Sequence, residues 1–293
     1  MHFPAHLFIP LVCGFIYVVG ALCLKRAAEH GVSVWRTTFV VNLTMALSVQ
    51  PLWWFAPAAP WPAEWWQPVV TALLFMLAQL MIYLAISHGD VSVTTPVMGT
   101  KSILVAALAS ALFAVKIPAA WWWAAALCAV AVLLLGWNGG VPHRRVGFTI
   151  LLASLSGFTY ALSDVLLQHW APGWGLTRFI PLMFGLMGVF SFGFLAFFSG
   201  SWREVEPVAW RWLVPGSLLM VLNNAAFAFT LAHWRDATAA NVVYSSRGLW
   251  SVALVWVVGH WFGNQERHAG GAAMTSRLAG AALMVAAIVL VVR

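Results

Sequence analysis

The sequence predicts an all-α integral membrane protein with ten transmembrane helices arranged as two inverted five-helix repeats. Three observations support this prediction. Of the 293 residues, 62% are hydrophobic and only 8% are charged, whereas a soluble domain carries roughly 25% charged residues. Apolar runs of about 20 residues, the length that crosses a bilayer core, recur along the whole chain. A motif that contains a basic residue is also written twice, once in each half.

Each predicted span is an apolar run bounded by charged residues, proline, glycine or tryptophan. The ten runs cover residues 7–24, 37–56, 68–87, 91–115, 119–137, 146–167, 179–198, 212–234, 237–262 and 273–292. The first run lacks a preceding basic stretch and a small-residue cleavage site, so we interpret it as a retained helix rather than a signal peptide. Most Lys and Arg residues follow odd-numbered spans, and the positive-inside rule then places both termini outside.

The repeat is clearest around Lys101 and Arg247, which lie inside the fourth and ninth apolar runs. Residues 89–101 read GDVSVTTPVMGTK and residues 235–247 read RDATAANVVYSSR. The acid, the hydroxyl residue two positions later and the terminal cation align at a constant offset. Because five spans in each half is an odd number, the second half begins on the opposite side and the repeat must be inverted. The predicted halves are residues 1–140 and 141–293.

Composition argues against several other classes of protein. The net charge of +7 does not indicate nucleic-acid binding, because the basic residues mostly mark the ends of apolar runs. Cys13, Cys23 and Cys128 lie in or beside apolar runs, which argues against a disulfide framework or a zinc site. The tryptophans cluster at helix ends, as in an interfacial aromatic belt. No phosphate loop, dinucleotide fingerprint or metal-ligand spacing is present, so we expect no cofactor and no enzymatic activity.

Several short motifs recur in a fixed order. The first half contains Gly14 to Tyr17, Arg36 at the start of the second span, and Asp90 to Pro96 entering the fourth. The second half contains Gly157 to Tyr160, Asp236 to Ala240, Gly263 with Glu266, and the run from Leu278 to Leu283.

In order and spacing these motifs resemble the drug/metabolite transporter superfamily, and its EamA-like permeases most closely. The resemblance implies a central cavity lined by the first, third, fourth, sixth, eighth and ninth helices of the bundle. It also implies transport of a small metabolite, although members carry substrates as different as amino acids, drugs and sugar phosphates. Glu266 would fill the position of a glutamate with which the fourth helix of a half often ends, and the first half has Lys116 instead.

Lys101 and Arg247 are the first candidates for substrate binding. A charge at membrane depth is costly and usually faces a water-filled cavity or a partner. The plastid sugar-phosphate branch, which these two positions resemble, holds a phosphate with basic residues on its fourth and ninth helices. Because a guanidinium fork suits carboxylates and phosphates, we expect a small organic anion bound between the fourth and ninth spans.

Other interpretations of the two cations stay open. Asp164, the acid well inside an apolar run, can pair with one cation, but one acid cannot neutralise two. The cations can also extend to the interface. Asp164 itself can carry a coupling proton if burial disfavours its charged form. Its place about one turn before the predicted end of the sixth span favours a counter-ion role.

Five polar residues are further candidates for contact with substrate: Tyr17, Tyr160, Asn223, Asn224 and Tyr244. Tyr17 and Tyr160 occupy matching positions of the repeat, and Tyr244 lies one turn before Arg247. Such residues in membrane helices also tie helices together. Pro96 removes a backbone donor before Lys101 and predicts a bend there.

The sequence therefore predicts a secondary transporter of a small anionic metabolite in the inner membrane of a bacterium. The expected partners are lipid, the substrate, and a proton or counter-substrate, with the chain acting as a monomer or homodimer. Export of amino acids or drug-like compounds, with structural cations, is the main alternative. Lipid-headgroup flipping, a non-transporting scaffold and a membrane-embedded enzyme are the others.

Overall fold

The computed structural model describes residues 4–58, 60–88, 97–135, 146–198, 205–258 and 271–292. Every regular element in these ranges is helical, which confirms the predicted all-α class. The helices are α1 (Phe8–Glu29), α2 (Val34–Ser48), α3 (Trp66–His88), α4 (Lys101–Phe113), α5 (Ala119–Leu135), α6 (Val146–Trp174), α7 (Leu176–Ser191), α8 (Pro207–Trp234), α9 (Ala237–Tyr244), α10 (Arg247–Val258) and α11 (Gly271–Val292). Short 3₁₀ segments occur at Ala5–Leu7, Gln50–Phe55 and Phe192–Phe197.

The outer surface of the helices is apolar. Six stretches of the described chain are long and apolar enough to cross a membrane: Ala5–Glu29, Trp66–Ala85, Gly147–Trp174, Leu176–Phe197, Pro207–Trp234 and Thr275–Val292. Leu47, Val189 and Leu278 are each about two-thirds exposed, at 66%, 63% and 65%, and apolar exposure on this scale marks a surface that contacts lipid or protein. The remaining predicted spans correspond to shorter helices, so the count of ten spans stays a prediction.

The helices pack as neighbours in four main pairs. Helix α1 lies along α8, α3 along α6, α5 along α11, and α2 along α7. Small residues allow close approach in membranes, where lipid tails are as apolar as the side chains. A Cβ atom on Gly280 of α11, for example, would lie only 2.7 Å from the Ala131 carbonyl oxygen of α5. Helix α7 supplies large, fully buried side chains, Phe179, Met183, Phe184 and Met187.

The ninth predicted span is interrupted. Helix α9 ends at Tyr244 and α10 begins at Arg247, with Ser245 and Ser246 in a turn between them. The amides of Ser246 and Gly248 donate to carbonyl oxygens three residues earlier, each at 3.0 Å, which is the tighter 3₁₀ pattern. Thr100 interrupts the fourth span in the same way, between helical residues 97–99 and α4. Lys101 and Arg247 therefore each follow directly after a tightened turn within their predicted span.

Helix α6 is longer than the sequence predicts. The predicted end at 167 is wrong, because α6 continues to Trp174. An apolar run marks the part of a helix that faces hydrocarbon, whereas the backbone hydrogen bonds continue through the polar residues that follow. Asp164 therefore lies well inside α6 and not about one turn from its end.

Candidate substrate-binding site

Lys101 forms an ion pair in the interior of the bundle. Its Nζ atom lies 2.7 Å from Asp164 Oδ2, and the two side chains are only 11% and 5% exposed. Asn241 donates from Nδ2 to the same carboxylate oxygen at 2.9 Å. Pairing with Asp164, one of the alternatives that the sequence leaves open, is thus present for Lys101. A buried ion pair is stable only when further hydrogen bonds satisfy the remaining lone pairs and protons of its two groups.

Arg247 is held differently. Its Cζ atom lies 5.0 Å from the centroid of the Tyr17 ring and 4.9 Å from that of Tyr244. The ion pairs between described residues do not include Arg247. An aromatic face stabilises a cation through the ring quadrupole but does not neutralise its charge. Arg247 therefore keeps a net positive charge within the part of the bundle that the structure describes.

Both cations raise the positive potential at the centre of the bundle, and Arg247 acts electrostatically on Lys101. The amides of Ser245, Ser246, Gly248 and Trp250 all donate to earlier carbonyl groups, so this positive charge comes from the side chains and not from a free helix end. An anion can form charge-assisted hydrogen bonds with such side chains.

The four tyrosines of the chain gather around this centre. Tyr17, Tyr83 and Tyr244 lie near Tyr160, and Lys101 Nζ lies 5.3 Å from the Tyr160 ring centroid. The Tyr17 and Tyr244 rings meet edge to face at 6.2 Å. Phe227 joins them, with its ring 4.5 Å from that of Tyr244 and 5.7 Å from Lys101 Nζ. Aromatic rings thus lie against both cations, and most of these rings carry a hydroxyl group.

The asparagine pair of α8 lies beside Tyr244. Asn223 is 1% exposed. With its amide turned so that the nitrogen donates to the Cys13 carbonyl at 2.9 Å, its oxygen accepts from the Tyr244 hydroxyl at 3.3 Å; such amide orientations are assigned from the hydrogen-bond network. Asn224 is partly exposed beside it. Asn223 therefore ties α1, α8 and α9 together and fixes the Tyr244 hydroxyl.

Helix α6 holds α9 at two positions, a feature that the sequence motifs do not predict. Gln168 Oε1 accepts from the Ala237 amide at 2.7 Å, one helical turn beyond Asp164 on α6. Asn241 bonds Asp164 and also donates to the Ala237 carbonyl at 3.0 Å. Asp236, at the N-cap position, makes no capping bond and lies 3.1 Å from His6 Nε2 instead.

Four residues named in the sequence motifs, Asp90, Pro96, Gly263 and Glu266, lie outside the described residues. Among the described residues, no group of three or more His, Cys, Asp or Glu side chains is placed to hold a metal ion. The three cysteines are buried and free.

Sequence comparison finds a similarity in the first part of the chain. The model of the EamA-like transporter family matches residues 4–137. Over these residues the chain is similar to EamA-like transporters. The match confirms the resemblance to the drug/metabolite transporter superfamily over that stretch. Together with the apolar helices, the EamA-like match indicates an integral, multi-pass membrane protein.

Structural comparison covers nearly the whole chain and concerns the fold alone. A solved structure described only as "Crystal structure of protein" superposes with a TM-score of 0.73 and 15% sequence identity. The superposition covers 99% of this chain and 96% of that chain. At this identity the likeness shows a shared fold, which includes the residues beyond the EamA-like match. No curated protein matches the sequence.

Proposed function

We propose that this protein is a secondary transporter of a small organic anion, which binds between α4 and α10. The observation that carries the proposal is Arg247, a cation inside the bundle that no carboxylate among the described residues neutralises. An anionic substrate would supply the missing charge and form charge-assisted hydrogen bonds with the guanidinium group.

The charge of Arg247 also provides a reason for conformational change. A ligand shifts a conformational equilibrium only through its different affinity for the two states. Without an anion, Arg247 favours the state in which water reaches it, because burial of an unneutralised charge is costly. With an anion bound, the neutralised site can be enclosed. Loading would therefore favour passage through a closed state.

The contacts in the bundle support ten spans in two inverted repeats. If α1 corresponds to α6 and α3 to α8, the packing of α1 on α8 is the counterpart of the packing of α6 on α3. The site also has matching contacts in the two repeats: Arg247 lies over Tyr17 of α1, and Lys101 lies over Tyr160 of α6. Rocking of two such halves around a fixed central site is the usual mechanism of inverted-repeat transporters.

The aromatic side chains favour a second candidate, export of amino acids or drug-like compounds. Tyr17, Tyr160, Tyr244 and Phe227 lie against the two cations and would suit a flat apolar molecule. On this alternative the Lys101–Asp164 pair and the stacked Arg247 serve only structure.

Ligand-induced thermal stabilisation of the purified protein separates the two candidates. The ligand panel contains small carboxylates, phosphates, zwitterions and amines. We expect anions to raise Tm of the wild type and of Arg211→Gln, which removes an exposed arginine of α8, but not of Arg247→Gln. Stabilisation by zwitterions or amines that Arg247→Gln leaves unchanged would contradict the proposal and support the second candidate.

A further inference from the structure

The described residues bring three charged side chains to the centre of the bundle: Lys101, Asp164 and Arg247. Lys101 and Asp164 are in direct contact at 2.7 Å, and Arg247 is close enough to act electrostatically on Lys101. The charges of Lys101 and Asp164 cancel each other. The described residues therefore give the centre one net positive charge when it is empty.

We infer that the site accepts one negative charge at a time, so that its substrates are organic monoanions, such as monocarboxylates. This inference rests on the proposed function and specifies its substrate class. A monoanion at Arg247 leaves the centre neutral. A dianion leaves it with a net negative charge in a region of low dielectric, where uncompensated charges interact strongly and are costly.

Asp164 is the residue that sets this limit. Its carboxylate is already paired with the Lys101 ammonium group. Without Asp164, that ammonium group could bind a second carboxylate or the second charged oxygen of a phosphate. Two donors, Lys101 Nζ and Asn241 Nδ2, hold the same Asp164 oxygen at 2.7 and 2.9 Å. To reach Lys101, a second negative group would have to displace a nearly buried carboxylate and break its ion pair. Asp164 thus acts as an internal anion that competes with dianionic substrates.

The position of Arg247 fits a single carboxylate. A guanidinium group binds a carboxylate through two parallel hydrogen bonds. Tyr17 and Tyr244 flank the guanidinium at 5.0 and 4.9 Å. These rings would contact the carbon skeleton that bears the carboxylate. The ring contacts among the described residues place no third cation beside them to receive a second carboxylate.

The test compares ligands that differ by one carboxylate on one skeleton. Butyrate and succinate form an aliphatic pair, and benzoate and phthalate form an aromatic pair. Dissociation constants are measured by concentration-dependent thermal stabilisation of the full chain in detergent at neutral pH. We expect the wild type to bind the monoanion of each pair at least about tenfold more tightly, a difference of about 1.4 kcal/mol.

Variants then change the net charge of the centre. Asp164→Asn leaves two positive charges and should reverse the preference towards succinate and phthalate. The double variant Lys101→Gln/Asp164→Asn returns the net charge to one and should return the preference to monoanions, so it tests the inference even if the single variant is poorly folded. Asp236→Asn is the matched control, because it removes an aspartate that pairs with His6 at the end of the bundle.

The outcomes distinguish a failure of the monoanion inference from a failure of the proposed anion transport. Equal binding of the mono- and dicarboxylates by the wild type, with a ratio that Asp164→Asn does not change, would overturn the monoanion inference and leave anion transport standing. Failure of every anion to stabilise the wild type would overturn the proposed function itself. A reversal caused equally by Asp236→Asn would show that the global charge, and not the central pair, sets the preference.

Discussion

Gly14 of α1 lies against the backbone of Arg247. A Cβ atom on Gly14 would be 3.2 Å from the Arg247 nitrogen, 3.2 Å from Ser246 Oγ and 3.3 Å from the Tyr244 carbonyl oxygen. Glycine therefore allows α1 to pack directly on the turn that separates α9 from α10. The position of the central arginine depends on this contact between backbones.

The first prediction concerns this close approach. Gly14→Ala should lower Tm and weaken anion binding, because the added methyl group must push α1 away from the turn at Ser245 and Ser246. Overpacking of this kind typically costs about 1–3 kcal/mol. Thermal unfolding in detergent measures the loss. Gly147→Ala on α6 is the control, since its added Cβ meets nothing within 4 Å; equal Tm values for the two variants would refute the prediction.

The second prediction concerns the buried ion pair. Lys101→Gln leaves the Asp164 carboxylate, which is 5% exposed, with Asn241 as its remaining donor. Removal of one partner of a buried pair typically costs about 3–5 kcal/mol, and Tm should fall accordingly. Addition of Asp164→Asn should recover much of the loss, and the double-mutant cycle gives the coupling between the two residues. Losses that simply add would show that the pair is not coupled.

The third prediction is that the other cation contributes much less to stability. Arg247→Gln breaks no ion pair among the described residues, but it loses a hydrogen bond with Tyr244 and the contacts with the Tyr17 and Tyr244 rings. Cation–π contacts are worth about 0.5–2 kcal/mol, and neither loss leaves a carboxylate unpaired in the interior. The Tm of Arg247→Gln should therefore stay closer to that of the wild type than the Tm of Lys101→Gln does. The opposite order would indicate that Arg247 serves structure.

The fourth prediction concerns the start of α9. Gln168→Ala removes the acceptor of the Ala237 amide, a contact between two buried residues. An unsatisfied buried donor costs about 1–3 kcal/mol, so Tm should fall. Gln168→Glu keeps an acceptor oxygen at the same place, and a carboxylate is favourable at a helix N-terminus. The alanine variant should be the less stable of the two, and hydrogen exchange at the start of α9 should rise only in that variant.

The all-helical class and the places of the helices follow from the sequence because each is a local property of an apolar run. The positions of Lys101 and Arg247 inside such runs are also visible without a structure. The break at Ser245 and Ser246 has a local signal as well, since Ser and Gly pairs are common at helix kinks and Gly248 follows directly. That signal is weak beside the continuous apolar pattern around it, and the ninth span therefore reads as one helix.

The partners of the central residues could not be predicted from the sequence. The Lys101–Asp164 pair joins α4 to α6, and its formation depends on how two distant helices pack. The predicted end of the sixth span also placed Asp164 too near the interface, which obscured its role in the interior. Gln168 gave no signal, because a glutamine near the end of an apolar run looks like an ordinary interfacial residue.

The two contacts from α6 to α9 have a consequence for motion. Gln168 holds the first residue of α9, and Asp164 holds Asn241 one turn further on. Two attachment points prevent both sliding and tilting of so short a helix, so α6 and α9 should move as a single rigid body. Spin labels on α6 and α9 would then keep a constant separation throughout a transport cycle.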